Sequence, residues 1–149
     1  MTAPDSSARA HWLSVLANAA FPELEMQWRK RVPLAPSYVW LKKPEHGAVL
    51  VRGRAGREGG QFNLGEMTVT RCSLQLADGR IGIAYVPGRN KRHAAIAAQV
   101  DALLQGSDNL AGAARIIVDV LSDSFARNRA EIAARTRETA VDFTMVVGG

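Results

Sequence analysis

Few residues of this 149-residue chain have the types and spacing that catalysis or metal binding needs. His11, His46 and His93 are too far apart to form a His-x-x-x-His pair, and a lone cysteine cannot form Cys-x-x-Cys. That cysteine, Cys72, lies within an apolar strand pattern, where it is typically a small buried hydrophobe rather than a nucleophile. The sequence also lacks a P-loop, a dinucleotide fingerprint and a serine-nucleophile motif. We therefore expect no catalytic residue, no metal site and no cofactor.

A cluster of cations in "YVPGRNKRHAAIAAQVDALLQG" is the strongest chemical signal. Arg89, Lys91, Arg92 and His93 crowd the start of a predicted helix, where the helix dipole disfavours positive charge. Asn90 is a suitable N-cap. A bound phosphate or a partner's carboxylate would reverse the unfavourable dipole energy. Alternatively, the side chains extend into water, at a cost of only about 0.3–1 kcal/mol.

A second candidate is the glycine-rich stretch "RGRAGREGG", residues 52–60. Arg52, Arg54 and Arg57 bring positive charge to a loop whose backbone amides are accessible. Such loops can cradle phosphate or RNA. The alternative is a hairpin loop with solvated arginines.

The amino-acid composition indicates the class of protein that carries these candidate residues. A hydrophobic content of 47% with 22% charged residues is ordinary for a soluble globular protein. The net charge is +5 and the pI about 10.0, which favours an anionic partner or simply a solvated basic surface. No apolar run is long enough to span a membrane and no secretory signal is present, so we expect a cytoplasmic protein. From the length of the chain we expect one domain, 1–149, with residues 1–5 flexible.

Helix and strand patterns predict an α+β fold. Two helices come first, "SSARAHWLSVLANAAF" and "PELEMQWRKR", the second with acids early and bases late. Two strands follow, "SYVWLKK" and "AVLVRGR", separated by "PEHG". We expect an antiparallel sheet of hairpin-connected strands, flanked by helices, in a single domain.

The clearest local signal is a hairpin in "TVTRCSLQLADGRIGIAYV". Asp78-Gly79 is a favoured two-residue turn. This turn predicts apolar pairs along one face: Leu76 with Ile81, Leu74 with Ile83, and Cys72 with Tyr85. A helix over residues 90–105 follows, with Gly106 as its stop.

The last third of the chain is less definite. Residues 114–121, "ARIIVDVL", suit either a strand or the start of a helix, and "SDSFARNRAEIAARTRETA" predicts a charged helix. Phe143, Met145 and Val146 belong to an apolar terminal segment. It either closes the domain's own sheet or docks on another subunit.

Three stretches of the sequence resemble the PhnG family. They are "RAHWLSVLANA", "GEMTVTRCSLQLADGRIGIAYVPGRNKRHAAIAAQVDALLQ" and "VDFTMVVGG", and the resemblance runs from Arg9 to Gly149. It is most specific at His11-Trp12, in the hairpin from Thr70-Arg71 to Gly88-Arg89, and at Val141-Asp142-Phe143.

The resemblance implies a subunit of the carbon–phosphorus lyase core complex, a two-fold assembly with PhnH, PhnI and PhnJ. With PhnI, PhnH and PhnL, the family is implicated in making α-D-ribose 1-methylphosphonate 5-triphosphate from ATP and methylphosphonate, with release of adenine. The later radical chemistry on an iron–sulfur cluster belongs to PhnJ. The family brings no assigned catalytic residue to this chain.

This resemblance suggests binding roles in an assembly rather than catalysis. We expect Arg71, Arg89, Lys91 and His93 to contact anionic groups of a companion subunit or, alternatively, the triphosphate substrate. We expect Phe143, Met145 and Val146 to dock on a partner. ATP and phosphonate would act through the complex, with no membrane and no nucleic acid involved.

Two other classes of function remain open from the residues alone. The basic charge and the Gly/Arg loop suit a nucleic-acid-binding module, although the predicted strands lack interleaved surface aromatics. A stand-alone enzyme using Cys72 is the third reading.

Overall fold

A computed structural model describes residues 6–54, 61–135 and 143–146. A four-stranded antiparallel sheet has the strand order β3-β2-β1-β4. The elements in chain order are α1 (Ser6–Asn18), α2 (Phe21–Arg31), β1 (Tyr38–Arg54), β2 (Gln61–Leu76), β3 (Ile81–Pro87), α3 (Lys91–Leu104), α4 (Asn109–Arg135) and β4 (Phe143–Val146). The predicted α+β fold with an antiparallel sheet is confirmed. No helix in the described part of the chain is both long and apolar enough to cross a membrane.

Helix α3 is the centre of the core. Eleven of its fourteen residues are buried, so it is enclosed on nearly every side. It packs against β2 and β3 on one side and against α1, α2 and α4 on the other. The core cluster joins Leu16, Leu24, Leu74, Leu103 and Ile117, one residue from each of five elements. Burial of this apolar surface is the main stabilising contribution.

Strand β1 is one long strand where the sequence predicted two. The "PEHG" segment lies inside it, and the pairing with β2 shifts between Trp40 and Lys42 and again between Lys42 and Glu45. Pro44 has no N–H to donate, but among the described residues β4 pairs with β1 only at positions 50–53. The side of β1 away from β2 therefore needs no hydrogen bond at Pro44, and a bulged strand can continue through it.

The β2–β3 hairpin forms as predicted, but its predicted register is wrong by one residue. The Leu76 N–H donates to the Arg80 carbonyl at 2.8 Å, which leaves a three-residue loop ending at Gly79 with φ +98°. Loops of three residues with a left-handed glycine are a common hairpin connection. The observed partners are Cys72 with Ala84, Leu74 with Gly82, and Gln75 with Ile81.

Close packing of α3 explains the register. A Cβ atom at Gly82 would lie 1.9 Å from the Ala98 carbonyl oxygen, so the helix backbone approaches β3 more closely than a side chain allows. Small residues of β3, Gly82 and Ala84, therefore face α3 together with Val86. The larger Ile81 and Tyr85 point to the other side of the sheet, called here the open face, where each is about two-fifths exposed.

Residues 114–121, which the sequence left open between strand and helix, belong to α4, a single helix of 27 residues. Ala114, Ile117, Val118 and Leu121 of its first half are buried in the core. Residues 126–134 are exposed throughout. The branched run "RIIV" is helical because Ile117 and Val118, together with Ala114 and Leu121 at helical spacing, fill the core beside α1 and α3.

Strand β4 pairs antiparallel with residues 50–53 of β1. The backbone of the terminal segment thus joins the chain's own sheet, the first of the two alternatives. Residues 55–60, which include Arg57 of the Gly/Arg loop, lie outside the described residues, as do the side chains of Arg52 and Arg54.

Candidate functional site

The candidate site is the junction where β3 ends and α3 begins. Gly88 has φ +89°, and its N–H donates to the Thr68 carbonyl at 2.8 Å, which closes the turn. The Asn90 side chain accepts a hydrogen bond from the His93 N–H at 3.0 Å. Asn90 is therefore the N-cap of α3, as predicted.

Thr70 holds this junction from the adjacent strand. Its hydroxyl is fully buried and donates to the Gly88 carbonyl at 2.7 Å. The same oxygen accepts from the Asn90 N–H at 3.1 Å and lies 3.1 Å from Nδ1 of His46. Because the only hydroxyl proton goes to Gly88, Nδ1 of His46 is the donor toward the Thr70 oxygen. Thr70 thus fixes the turn from which the helix departs.

Arg89 and Lys91 are the cations that remain available at this junction. Both are exposed, and neither has an ion pair or a side-chain hydrogen bond to any residue that the structure describes. They flank the N-cap, so their charges add to the positive end of the α3 dipole. Arg89 and Lys91 are called here the basic start of α3. Its field favours an anionic group.

His93, the third predicted residue at this end, has a different environment. Its side chain lies in the core, 5% exposed, where Nε2 donates to the Leu16 carbonyl at 2.8 Å. Its ring lies 5.9 Å from that of Phe21. Burial lowers the pKa of His93, and the hydrogen bond to Leu16 partly offsets this. The neutral ring joins α3 to the end of α1, so any binding role for it stays a prediction.

Arg71, the fourth predicted residue, points to the open face of the sheet. Its Nε donates to Oε1 of Glu45 at 2.9 Å, and Nζ of Lys42 lies 3.0 Å from the same oxygen. Lys42 and then Arg71 lower the pKa of Glu45. Because adjacent strand residues face opposite sides, Arg71 lies away from Thr70 and α3. Only Arg89 and Lys91 of the four predicted residues are together at the surface.

A buried carboxylate forms a second polar centre, which the sequence interpretation missed. Asp101 is fully buried in α3 and accepts from Arg9 at 3.2 and 3.0 Å, from Trp12 Nε1 at 2.8 Å and from the Ile83 N–H at 2.9 Å. The hydrogen bonding to Asp101 and the negative charge of its carboxylate raise the pKa of Arg9. We call these four residues the Asp101 network. It ties α1, α3 and β3 together, and every contact of the carboxylate is intramolecular.

Cys72 has the character expected of a buried hydrophobe. It is 4% exposed, and its Sγ donates to the Ala94 carbonyl at 3.3 Å. Burial raises its pKa to about 12, so the thiolate needed for nucleophilic chemistry does not form near neutral pH.

Metal-ligand clusters and surface grooves are the other places where a small ligand could bind. Within the described ranges no group of three His, Cys, Asp or Glu side chains could hold a metal ion. A groove of about 350 Å³ lies at the β2–β3 turn between Ser37 and Gly79, and one of about 220 Å³ lies between Trp12 and Val118. Neither is lined by the basic start of α3.

The signals for the missed residues were weak. Asp101 interrupts the apolar run "AAQVDALL", and an acid in a buried helix face needs partners. Its partners Arg9 and Trp12 lie about ninety positions earlier in the chain. No comparable sequence pattern marked Thr70 or His46 as part of the site.

Comparisons with known proteins identify the family of the chain. Residues 7–149 match the model of the family described as "Phosphonate metabolism protein PhnG". The chain is 36% identical over 143 residues to a Rhizobium meliloti (strain 1021) protein, covering 95% of this chain and 89% of that relative. That relative is named alpha-D-ribose 1-methylphosphonate 5-triphosphate synthase subunit PhnG.

The chain therefore belongs to the PhnG family of phosphonate metabolism proteins. The resemblance stated from the sequence is confirmed, and it covers nearly the whole chain.

Proposed function

We propose that this chain is a subunit of the complex that makes α-D-ribose 1-methylphosphonate 5-triphosphate during phosphonate catabolism. The observation that carries the proposal is its 36% identity, over nearly its full length, to a subunit of that synthase. The reaction would use ATP and methylphosphonate and release adenine. The substrates would meet this chain through the complex.

The companion subunits in this proposal are PhnH, PhnI and PhnJ, arranged as a two-fold assembly in the cytoplasm. PhnL would act with them in the same reaction. Membership of a multi-subunit synthase is supported by the relative's name, which calls it a subunit. The particular partners follow from the family resemblance.

Within that complex, we assign this chain a supporting role and no catalytic residue. Three buried side chains that could take part in chemistry, those of Cys72, His93 and Asp101, are engaged in the fold. The Cys72 thiol is buried and protonated, His93 donates to a backbone carbonyl, and Asp101 accepts four intramolecular hydrogen bonds. Such groups stabilise the subunit and are unavailable to a substrate.

The basic start of α3 is the proposed contact with an anionic group of a companion subunit. Arg89 and Lys91 support this role because they are exposed and have no partner among the described residues. Arg71 would contribute on the open face of the sheet, where it also forms an ion pair with Glu45. The triphosphate substrate is the alternative anion.

The terminal strand is the second proposed contact. Phe143, Met145 and Val146 would dock on a partner while the backbone of β4 pairs with β1. Apolar residues next to a sheet edge suit that role.

Co-expression with the companion subunits tests this function. The chain should co-purify with them on sizing chromatography, and adenine release from ATP and methylphosphonate should require it. Arg89→Ala/Lys91→Ala should weaken assembly or activity, whereas Lys43→Ala, which removes an exposed lysine from β1, should not. Unchanged co-purification and activity in the double variant would refute the role of these two cations.

A nucleic-acid-binding function has less support. Tyr85 is exposed on the open face, whereas Tyr38 and Trp40 are partly buried in the core. Among the side chains of the sheet that the structure describes, there is therefore no row of exposed aromatic rings that could stack bases.

A further inference from the structure

Glu25 of α2 joins the cations of two helices. Its Oε2 accepts from Nε of Arg92 on α3 at 2.6 Å, and its Oε1 lies 3.3 Å from an amino group of Arg29 one turn further along α2. Glu25, in the middle of α2, therefore lies beside the start of α3. Glu25 and Arg92, which are 67 residues apart in the chain, thus bring cations of the two helices onto one surface.

This surface has more positive than negative charge. Its described members are Glu25 and the cations Arg29, Lys30, Arg89, Lys91 and Arg92. The other acid of α2, Glu23, accepts from Ser124 of α4 at 2.7 Å and so points away. We call the five cations the α2–α3 basic surface. One carboxylate leaves most of their charge uncompensated within the described part of the chain.

The cations of this surface are exposed and contribute little to the stability of the fold. The side chains of Arg29 and Arg92 are 68% and 54% exposed, and Lys30, like the basic start of α3, has no ion pair to a described residue. Exposed ion pairs such as these contribute little to stability. Like charges gathered on one surface repel, so an anionic partner would lower the electrostatic energy.

Large apolar side chains lie beside these cations. Met26 is 57% exposed and stands one helical turn before Arg29 and Lys30, while Leu34 is 85% exposed just after the helix. Exposed apolar groups next to charge are typical of protein interfaces. A phosphate or a nucleic-acid backbone would contact the cations but would gain nothing from Met26 and Leu34.

We propose that the α2–α3 basic surface binds an acidic, amphipathic segment of a companion protein subunit. The carboxylates of that segment would pair with Arg29, Lys30 and the basic start of α3, and its apolar side chains would cover Met26 and Leu34. This inference rests on the proposed function and extends it, because it adds α2 to the contact and specifies the chemistry of the partner.

Charge reversal on α2 tests the proposal. Lys30→Glu leaves the Glu25 bridge intact, and Arg29→Glu/Lys30→Glu removes more charge. Both variants are co-expressed with the companion subunits and analysed by affinity capture over a range of salt concentrations. We expect the double variant to retain at least tenfold less of its partner at low salt, and the single variant to show a smaller loss. Capture by the wild-type chain should itself weaken as salt rises.

Matched controls are Lys43→Glu on β1 and Arg127→Glu/Arg129→Glu on the exposed end of α4, which reverse the same number of charges elsewhere. Thermal unfolding of each isolated variant verifies that the fold is retained. Met26→Ser/Leu34→Ser, which leaves every charge in place, should also reduce capture.

Each outcome has a distinct meaning. If the α2 variants capture the companion subunits as well as the wild type does, the proposal is wrong. It is also wrong if they lose binding only to RNA or to inorganic triphosphate, because the surface would then recognise phosphate. If the wild-type chain itself captures no companion subunit, the proposed function fails, and the partner assigned to this surface fails with it.

Discussion

The Asp101 network and the basic start of α3 both involve helix α3, but the charge is paired in the first and unpaired in the second. At Asp101 a buried carboxylate is matched by Arg9, Trp12 and the Ile83 N–H. At the start of the helix, the exposed cations Arg89 and Lys91 have no partner among the described residues. The buried charge of Asp101 is therefore neutralised within the fold, whereas the exposed charges of Arg89 and Lys91 are not neutralised by any described residue. We therefore expect substitutions in the Asp101 network to affect stability and substitutions in the basic start of α3 to affect partner binding.

Removing the buried charge should have the largest effect on stability. Asp101→Asn keeps the side-chain shape but loses the charge that pairs with Arg9, and its amide cannot accept every hydrogen bond. We expect the free energy of unfolding to fall by about 2–4 kcal/mol, measured by urea denaturation. Asp119→Asn, an exposed acid on α4, should change it by less than about 0.5 kcal/mol. Equal effects of the two substitutions would show that the network does not hold the helices together.

Close packing of α3 on β3 gives the next largest effect. Gly82→Ala places a methyl group where the Ala98 carbonyl oxygen already lies. Because the helix backbone must move, we expect a loss of about 1–3 kcal/mol in the free energy of unfolding. A matched substitution is Gly112→Ala in α4, where a Cβ would meet nothing within 4 Å. That variant should be as stable as the wild type or slightly more stable, since alanine favours the helix.

The packing at Gly82 also shows which features of the hairpin could be predicted from the sequence and which could not. The hairpin was predictable because its turn residues and apolar runs are local signals. Its register was not, because Ile81, Ile83 and Tyr85 resemble a core face more than Gly82, Ala84 and Val86 do. The approach of α3 selects the smaller set, and no local pattern encodes that approach. In the candidate site, Arg89, Lys91 and the Asn90 cap were predictable, whereas the burial of His93 depends on α1, far away in the chain.

Titration of His93 should give a smaller effect that depends on pH. Its pKa is lowered in the folded protein, so above its ordinary value of about 6.5 the ring is neutral in both states. Below that value the unfolded chain binds a proton that the native ring does not. Stability should therefore fall as pH falls below about 6.5, with a slope of at most about 1.4 kcal/mol per pH unit from this group. Unfolding curves of the wild type and His93→Gln between pH 7 and pH 5 check this, and identical pH profiles would argue against a neutral buried ring.

Neutralising the basic start of α3 should have the smallest effect on the isolated chain. Arg89→Ala/Lys91→Ala removes exposed cations from the positive end of a helix dipole. We expect the free energy of unfolding to change by less than about 0.5 kcal/mol, with any shift toward greater stability. Urea denaturation of the isolated variant measures it. A loss comparable to that of Asp101→Asn would mean that these cations are part of the fold.

Hydrogen–deuterium exchange, measured on the chain alone and in complex with its companion subunits, tests the central claim most directly. That claim is that a self-sufficient interior carries a surface that other subunits complete. We predict slower exchange on assembly at residues 89–92 and at the end of α2, with little change in the buried part of α3 around Asp101. Unchanged exchange at residues 89–92 in a complex that has formed would contradict the account.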